Sequence, residues 1–126
     1  MKEIISTVNA PGAIGPYSQA VKAGNMLFTS GQIAINPANG ELVLTDITAE
    51  TKQVMENLRA VLDKAGMNFT NVIKTSIFLS SMDDFATVNE EYASYFESDF
   101  PARETVQVAK LPKGVNVEIS MIAVDN

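Results

Sequence analysis

A helical repeat of apolar side chains in the middle of the chain restricts the fold more than any other feature. Between Asp46 and Gly66 these side chains recur at positions i, i+4, i+7, i+8 and i+11: Val54, Leu58, Val61, Leu62 and Ala65. Asp46 or Thr48 can cap the first turn, and Gly66 can end the helix. Glu50 lies near the start, where a negative charge complements the positive end of the helix dipole. The pattern predicts an amphipathic helix, which needs a second layer to cover its apolar face.

Segments with the composition of strands lie on both sides of this helix. Two of them surround the turn at residues 23–25 (AGN) and suit a hairpin, and a third is rich in β-branched and aromatic residues. A second helix is predicted from about Asp83, and it has to end before Phe100 because Pro101 disfavours helix in the residue before it. The predicted strands are Tyr17–Lys22, Met26–Ile35, Val72–Ser80, Glu104–Lys110 and Val115–Val124.

The resulting element order, β-β-α-β-α-β-β, predicts an α+β fold with two helices packed on one face of a mixed sheet. The 126 residues contain no linker, low-complexity tract or internal repeat, so a single domain over residues 1–126 is expected. The second face of such a sheet is open unless another copy covers it, and self-association is therefore expected.

The chain contains no Cys, no His and no Trp. A Ser-His-Asp or Cys-His catalytic system cannot be built without these residues. The usual zinc, haem and iron–sulfur sites lose their ligands as well, so no metal site is predicted. A metal would have to be a hard cation held by carboxylates.

The charge balance is acidic, with a formal net charge of −6. Nucleic-acid binding needs a basic face, and Lys110 and Lys113 are the nearest approach to a basic cluster, so no nucleic-acid partner is expected. No apolar run is long enough to span a membrane, and residues 1–6 lack the apolar core of a signal peptide. We therefore expect no membrane partner and a cytoplasmic location.

Arg103 and Glu118 are the two charged residues whose positions suggest chemistry. Arg103 opens a predicted strand directly after Pro101-Ala102, where its guanidinium can bind a carboxylate or phosphate through two parallel hydrogen bonds, or form an ordinary surface salt bridge. Glu118 lies in the middle of the last strand. It either faces solvent or, when partly buried, is a carboxylate able to act as a base.

Asn89 falls four residues after Phe85, on the apolar stripe of the second helix. A polar side chain there needs a partner, which is either backbone or a ligand. Gly31 marks either a close approach of two segments or a bulge in its strand. Tyr17, Ser30 and Thr105 carry no individual signal.

Four motifs together point to a known family. They are residues 9–19 (NAPGAIGPYSQ), 28–33 (FTSGQI), 84–89 (DFATVN), and 100–103 (FPAR) followed by 117–119 (VEI). In this order they resemble the RidA/YjgF family, and the resemblance covers essentially the whole chain. It implies a chorismate-mutase-like fold that assembles as a homotrimer with pockets at the subunit interfaces.

The resemblance also implies an activity. Members hydrolyse reactive 2-imino acids such as 2-iminobutanoate and 2-iminopropanoate, which form from the enamines released by Ser/Thr dehydratases, to 2-keto acids and ammonia. No cofactor is needed by the deaminase, and the setting is isoleucine biosynthesis. Carried over to this chain, Arg103 holds the substrate carboxylate and Glu118 orients or activates water. The implied pocket residues are Tyr17, Ser30, Gly31, Asn89 and Thr105.

Two positions depart from the family pattern. Many deaminating members have cysteine where this chain has Thr105, which keeps a donor and an acceptor but is stiffer. The residue after the arginine is usually small, whereas here it is Glu104, which strand alternation should turn away from Arg103. Both departures bear on substrate range more than on the reaction.

The implied chemistry agrees with the residues present. An imine carbon is already electrophilic, so orientation by Arg103 and general acid–base help, typically worth about 10²–10⁴-fold, are sufficient. A local cation is required because a chain of net charge −6 repels an anionic substrate. We also expect Arg103 to hold Glu118 ionised in the empty site and to release it when a substrate carboxylate binds.

Three other functions stay open. The first is a non-catalytic, metabolite-binding regulatory protein that senses small carboxylates through Arg103. The second is a ribonuclease or translation inhibitor, which the acidic charge and the lack of His argue against. The third is a chaperone acting through apolar surface, although the six Met residues are more simply explained as core.

Overall fold

The computed structural model describes all residues, Met1–Asn126. Its six strands form one mixed sheet in the order β1-β2-β3-β6-β4-β5, in which only the β4–β5 pair is parallel. Neither helix is long and apolar enough to cross a membrane. The elements are β1 (Lys2–Ile5), β2 (Ala20–Ala23), β3 (Met26–Thr29), α1 (Ile47–Lys64), β4 (Val72–Leu79), α2 (Phe85–Ala93), β5 (Ala102–Gln107) and β6 (Val117–Val124).

The sheet contains one strand more than the predicted order. β1 pairs antiparallel with β2, and nothing in its short sequence, KEII, distinguishes it from a loose N-terminal segment. The predicted helices and remaining strands are present, and the mixed sheet with two helices agrees with the expectation.

The first two predicted strands are shorter than expected. The backbone N–H of Ser30 still donates to the carbonyl of Gln19, at 2.9 Å, but the chain leaves the sheet at Gly31. Gln32 then forms a single bridge to Ile119 in β6. As a result, residues 17–19 and 30–35 become loops beside the sheet instead of strand, and they line a cavity that is described below.

α1 begins as its sequence indicates. Asp46 caps it by accepting a hydrogen bond from the backbone N–H of Ala49 at 2.7 Å, and Gly66 follows the helix in the left-handed conformation, with φ of 77°. The apolar face is fully buried against the sheet by the side chains of Val54, Met55, Leu58, Val61 and Leu62. Glu50 is buried as well, which differs from the exposed position expected of a charge at a helix start.

The two faces of the sheet differ as alternation predicts. In β6, Val117 and Ile119 are buried beneath the helices, whereas Glu118 and Ser120 face the other way. That second face is not covered by any helix. It exposes apolar side chains, among them Phe28 at 44% and Val106 at 43%.

Candidate functional site

Arg103 lies on the helix-covered face, at the edge of the sheet. It pairs in register with Thr75 of β4, and its Nη1 donates to Oδ1 of Asn89 in α2 at 2.6 Å. The guanidinium carbon stands 5.6 Å from the ring centre of Phe85 and 5.4 Å from that of Tyr92. Two aromatic rings and a neutral amide therefore hold this cation, and no carboxylate of the chain neutralises it.

The sequence left backbone or a ligand as the alternatives for the partner of Asn89, and within the chain its side chain binds neither backbone nor solvent alone. Its partner is a side chain of the neighbouring strand, Arg103. Both residues line a cavity of about 380 Å³, together with Tyr92, Phe100 and Pro101. Such a cavity, with one free cation beside apolar walls, can hold a small carboxylate.

Tyr92 lies on the same helix as Asn89 and also lines this cavity. Its hydroxyl shares a 2.8 Å hydrogen bond with the hydroxyl of Thr75, and both side chains are buried. Burial raises the pKa of the Tyr92 hydroxyl, although the bond to Thr75 and the charge of Arg103 act in the opposite direction. The hydroxyl therefore stays protonated and keeps the ring fixed beneath Arg103.

Glu118 lies on the opposite face of the sheet, in a second cavity of about 630 Å³. Its side chain is half-buried, and this burial raises the pKa of the carboxyl. The carboxyl packs so closely on Gly31 that a Cβ placed there would lie 2.6 Å from Oε2. Gly31 is therefore a point of close approach rather than a simple bulge, as the first alternative proposed.

Tyr17 and Ser30 line this second cavity with Glu118. The hydroxyl of Ser30 donates to the carbonyl of Ser18 at 2.6 Å, which joins the two loops. The buried amide of Gln19 holds the N-terminal loop beside them, because its Nε2 donates to the carbonyl of Pro11 at 2.7 Å and its Oε1 accepts from the N–H of Thr7 at 2.7 Å.

Lys113 also lines this cavity, although from the sequence it is only one of two lysines that approach a basic cluster. It adopts the left-handed backbone conformation, with φ of 57°, directly before Gly114. A lysine in this conformation is uncommon and costs about 1 kcal/mol. The signal available in the sequence was the turn LPKG, which places its lysine where the chain reverses before β6.

Thr105 lies on the same face as Arg103, two residues further along β5. Its hydroxyl oxygen is buried and has no hydrogen-bond partner. Glu104 points to the other face, as alternation predicts, and pairs with Lys74 at 2.9 Å and with the hydroxyl of Ser76. The Ser76 bond and then Lys74 lower the pKa of Glu104. Glu104 does not compete for Arg103, because it lies on the other face and is paired there.

The expected contact between Arg103 and Glu118 is not formed within the chain. Phe78 pairs in register with both Glu118 and Val106, so these two residues share the open face. Arg103 precedes Val106 by three residues and therefore lies on the other face. Within one chain Arg103 cannot hold Glu118 ionised, because the sheet separates the two groups, and for a site between copies the expectation stays a prediction.

The chain therefore presents two partial sites. One has a free guanidinium that suits a carboxylate, and the other has a half-buried carboxyl suited to proton transfer beside Tyr17 and Ser30. The structure contains no group of three or more acidic residues arranged to hold a metal ion.

Comparison with known proteins identifies the family. The family model described as endoribonuclease L-PSP matches residues 7–125. A RutC family protein of Pyrococcus horikoshii is 54% identical over 123 residues, which cover 98% of each chain. The human protein named 2-iminobutanoate/2-iminopropanoate deaminase is 49% identical over 124 residues, covering 98% of this chain and 90% of the human one.

A solved structure agrees in fold as well as in sequence. A protein of the conserved Rid family from Yersinia pestis is 49% identical and superposes with a TM-score of 0.97, covering 99% of this chain and 100% of the other. The resemblance drawn from the four motifs is thus confirmed, and the chain belongs to the endoribonuclease L-PSP family, also known as the RidA/YjgF family.

Proposed function

We propose that this protein is a cofactor-independent deaminase that hydrolyses small 2-imino acids to 2-keto acids and ammonia. The observation that carries the proposal is the state of Arg103, whose guanidinium is held by the neutral amide of Asn89 and is left free for a carboxylate. The deaminase names of the human, bovine and mouse relatives support the same reaction.

The proposed reaction adds one water to the imine carbon. Arg103 binds the carboxylate of the imino acid and fixes the position of the adjacent C2. Glu118 accepts a proton from the attacking water and passes it to the imine nitrogen, which gives a carbinolamine. The proton of the new hydroxyl then moves to the same nitrogen, so that ammonia leaves as the carbon–nitrogen bond breaks and the keto group forms. A raised pKa of the Glu118 carboxyl supports this role, because the group then accepts and releases a proton more readily near neutral pH.

The complete site is proposed to lie between copies of the chain. The groups that the reaction needs, Arg103 and Glu118, lie on opposite faces of one sheet, so a single chain cannot bring them to one substrate. The open face exposes Phe28 and Val106, which another copy can cover. A homotrimer in which one chain supplies Arg103 and its neighbour supplies Glu118 satisfies both requirements.

The proposal is tested by measuring 2-keto acid formation from 2-aminoacrylate or 2-iminobutanoate generated in place by a dehydratase. Wild-type protein should accelerate the reaction above its spontaneous rate. Arg103→Ala should lower kcat/KM roughly 100-fold, the value of one or two lost charged hydrogen bonds. Arg59 is the only other arginine of the chain, and Arg59→Lys is the matched control that should retain the rate. A rate in Arg103→Ala equal to wild type would refute the proposal.

A regulatory carboxylate sensor is the second candidate, and one observation favours it. The Arg103 cavity is lined by residues of one chain and does not include Glu118, so it can bind a small acid without that carboxyl. Calorimetry with 2-ketobutyrate distinguishes the two functions: binding that depends on Arg103, in a protein that does not accelerate imine hydrolysis, identifies the sensor.

A further inference from the structure

Three polar side chains of α1 are buried, and two of them, Glu50 and Asn57, bind groups outside the helix. Glu50 and Asn57 each expose only 1% of their surface. They are seven residues apart, so they lie on the same side of the helix, two turns from each other. Buried polar groups at such positions need hydrogen-bond partners. The partners of Glu50 directly precede Glu118 in the chain, and two partners of Asn57 line the Glu118 cavity.

Glu50 holds the chain immediately before Glu118. Its Oε2 accepts hydrogen bonds from the backbone N–H groups of Asn116 and Val117 at 2.7 and 2.9 Å, and its Oε1 accepts from Nδ2 of Asn116 at 2.8 Å. β3 ends at Thr29, so no strand is present to accept the N–H of Val117 on that side of β6. The carboxylate of Glu50 takes the place of the missing strand.

Asn57 holds a second segment, which lines the Glu118 cavity. Its Nδ2 donates to the backbone carbonyls of Ile33 and Ile35 at 3.1 and 2.9 Å. Ile33 and Ile35 line the cavity and follow Gly31, the residue on which the Glu118 carboxyl packs. One helix therefore anchors both the segment that leads into Glu118 and the segment that follows Gly31.

We propose that Glu50 is a positioning residue, which acts through Asn116 and Val117 to fix where the Glu118 carboxyl stands against Gly31. The inference rests on the proposed function, for which Glu118 is the proton-transfer group. It goes further because it assigns a catalytic consequence to a side chain that touches neither cavity. The close packing of Glu118 on Gly31 leaves little freedom, so a small shift of residues 116–117 changes the position of the carboxyl.

The test compares Glu50→Ala and Glu50→Gln with a matched control, Glu56→Gln, on the same helix. Glu56 binds Arg59 and the hydroxyl of Tyr95, away from the cavity, so its amide variant can lower stability without moving Glu118. In the folded protein, Glu50→Ala should lower kcat roughly 10- to 100-fold with little change in KM, because substrate binding depends on Arg103. Glu50→Gln should recover part of the loss, since one amide oxygen can still accept both backbone N–H groups.

A second measurement does not depend on activity. The side-chain ¹³C signal of Glu118 reports the titration of its carboxyl, which should differ from wild type in the Glu50 variants and match wild type in Glu56→Gln. If Glu50→Ala does not fold, Glu50→Gln decides alone, because an amide cannot accept all three hydrogen bonds.

The two proposals fail in different ways. A wild-type protein without deaminase activity refutes the proposed function, and the NMR titration then still decides the role of Glu50. If wild type is active and the Glu50 variants keep its kcat or its Glu118 titration, only the positioning role is refuted. A kcat loss of equal size in Glu56→Gln refutes it as well, since the effect is then one of general stability.

Discussion

Replacing Gly31 by alanine separates the chemistry of the site from the stability of the fold. A Cβ at this position would lie 2.6 Å from Oε2, 2.7 Å from Cδ and 2.9 Å from Cγ of Glu118. Ordinary van der Waals contact begins at 3.4 Å, so the carboxyl has to move by about 0.8 Å. The atoms that move belong to the end of a flexible, half-buried side chain, and the backbone does not have to follow.

The expected result is a folded protein with low activity. A misplacement near 1 Å costs roughly 100-fold in rate, so kcat for imine hydrolysis should fall by about 10- to 100-fold. The unfolding free energy should change by less than about 1 kcal/mol, since the loss of chain entropy in the unfolded state offsets part of the crowding. Gly31 does not have a positive φ, so alanine introduces no backbone strain there.

The assays are 2-keto acid formation and urea denaturation, with Gly12→Ala as the control. Gly12 lines the same cavity, but a Cβ there would meet nothing within 4 Å, so both activity and stability should match wild type. Gly31→Ala with the kcat of wild type would contradict the proposed place of Glu118 in the reaction. Unfolding of Gly31→Ala under native conditions would contradict the claim that only a side chain moves.

Four further predictions concern protonation and the core. Glu118→Gln should abolish most activity. It should also raise the unfolding free energy at neutral pH, because burial disfavours the charged carboxyl of wild type. In urea denaturation, the difference in unfolding free energy between variant and wild type should shrink as the pH falls through the raised pKa and past the ordinary value of 4.5. Wild-type kcat should fall as the pH falls through that raised pKa, because a protonated Glu118 cannot accept a proton from water. Tyr92→Phe leaves the buried hydroxyl of Thr75 unpaired and should cost about 1–3 kcal/mol in urea denaturation, which Thr75→Val in the same chain should largely restore. Leu58→Ala removes a fully buried side chain of α1 and should cost about 2–5 kcal/mol by the same measurement.

Local signals were enough to predict most of the fold. The spacing of apolar residues in α1, its Asp46 cap and the left-handed Gly66 all follow from short-range rules, and so does the alternation in β6 that turns Glu118 away from the core. β1 was missed because four residues without a turn signal become a strand only through pairing with β2. The length of β3 was overestimated because the departure at Gly31 depends on Glu118, which is far away in the chain.

The placement of Arg103 and Glu118 on opposite faces of one sheet could not be predicted from the sequence. Opposite charges suggest a contact, but the face on which each lies is fixed by strand register, and register cannot be read from spacing alone. Glu50 was misread for a similar reason. A negative charge near a helix start is common on surfaces, and only the tertiary fold brings the N–H groups of Asn116 and Val117 to it.

The sheet acts as a partition between two reactive groups of one polypeptide. Under the proposed arrangement, a single chain folds, but only an assembly of copies is active. Dilution that separates the copies would then abolish activity although each chain keeps its native core. Calorimetric melting of the separated chain would not detect this loss of activity. Mutations at the contact between copies would then change the activity without replacing Arg103 or Glu118.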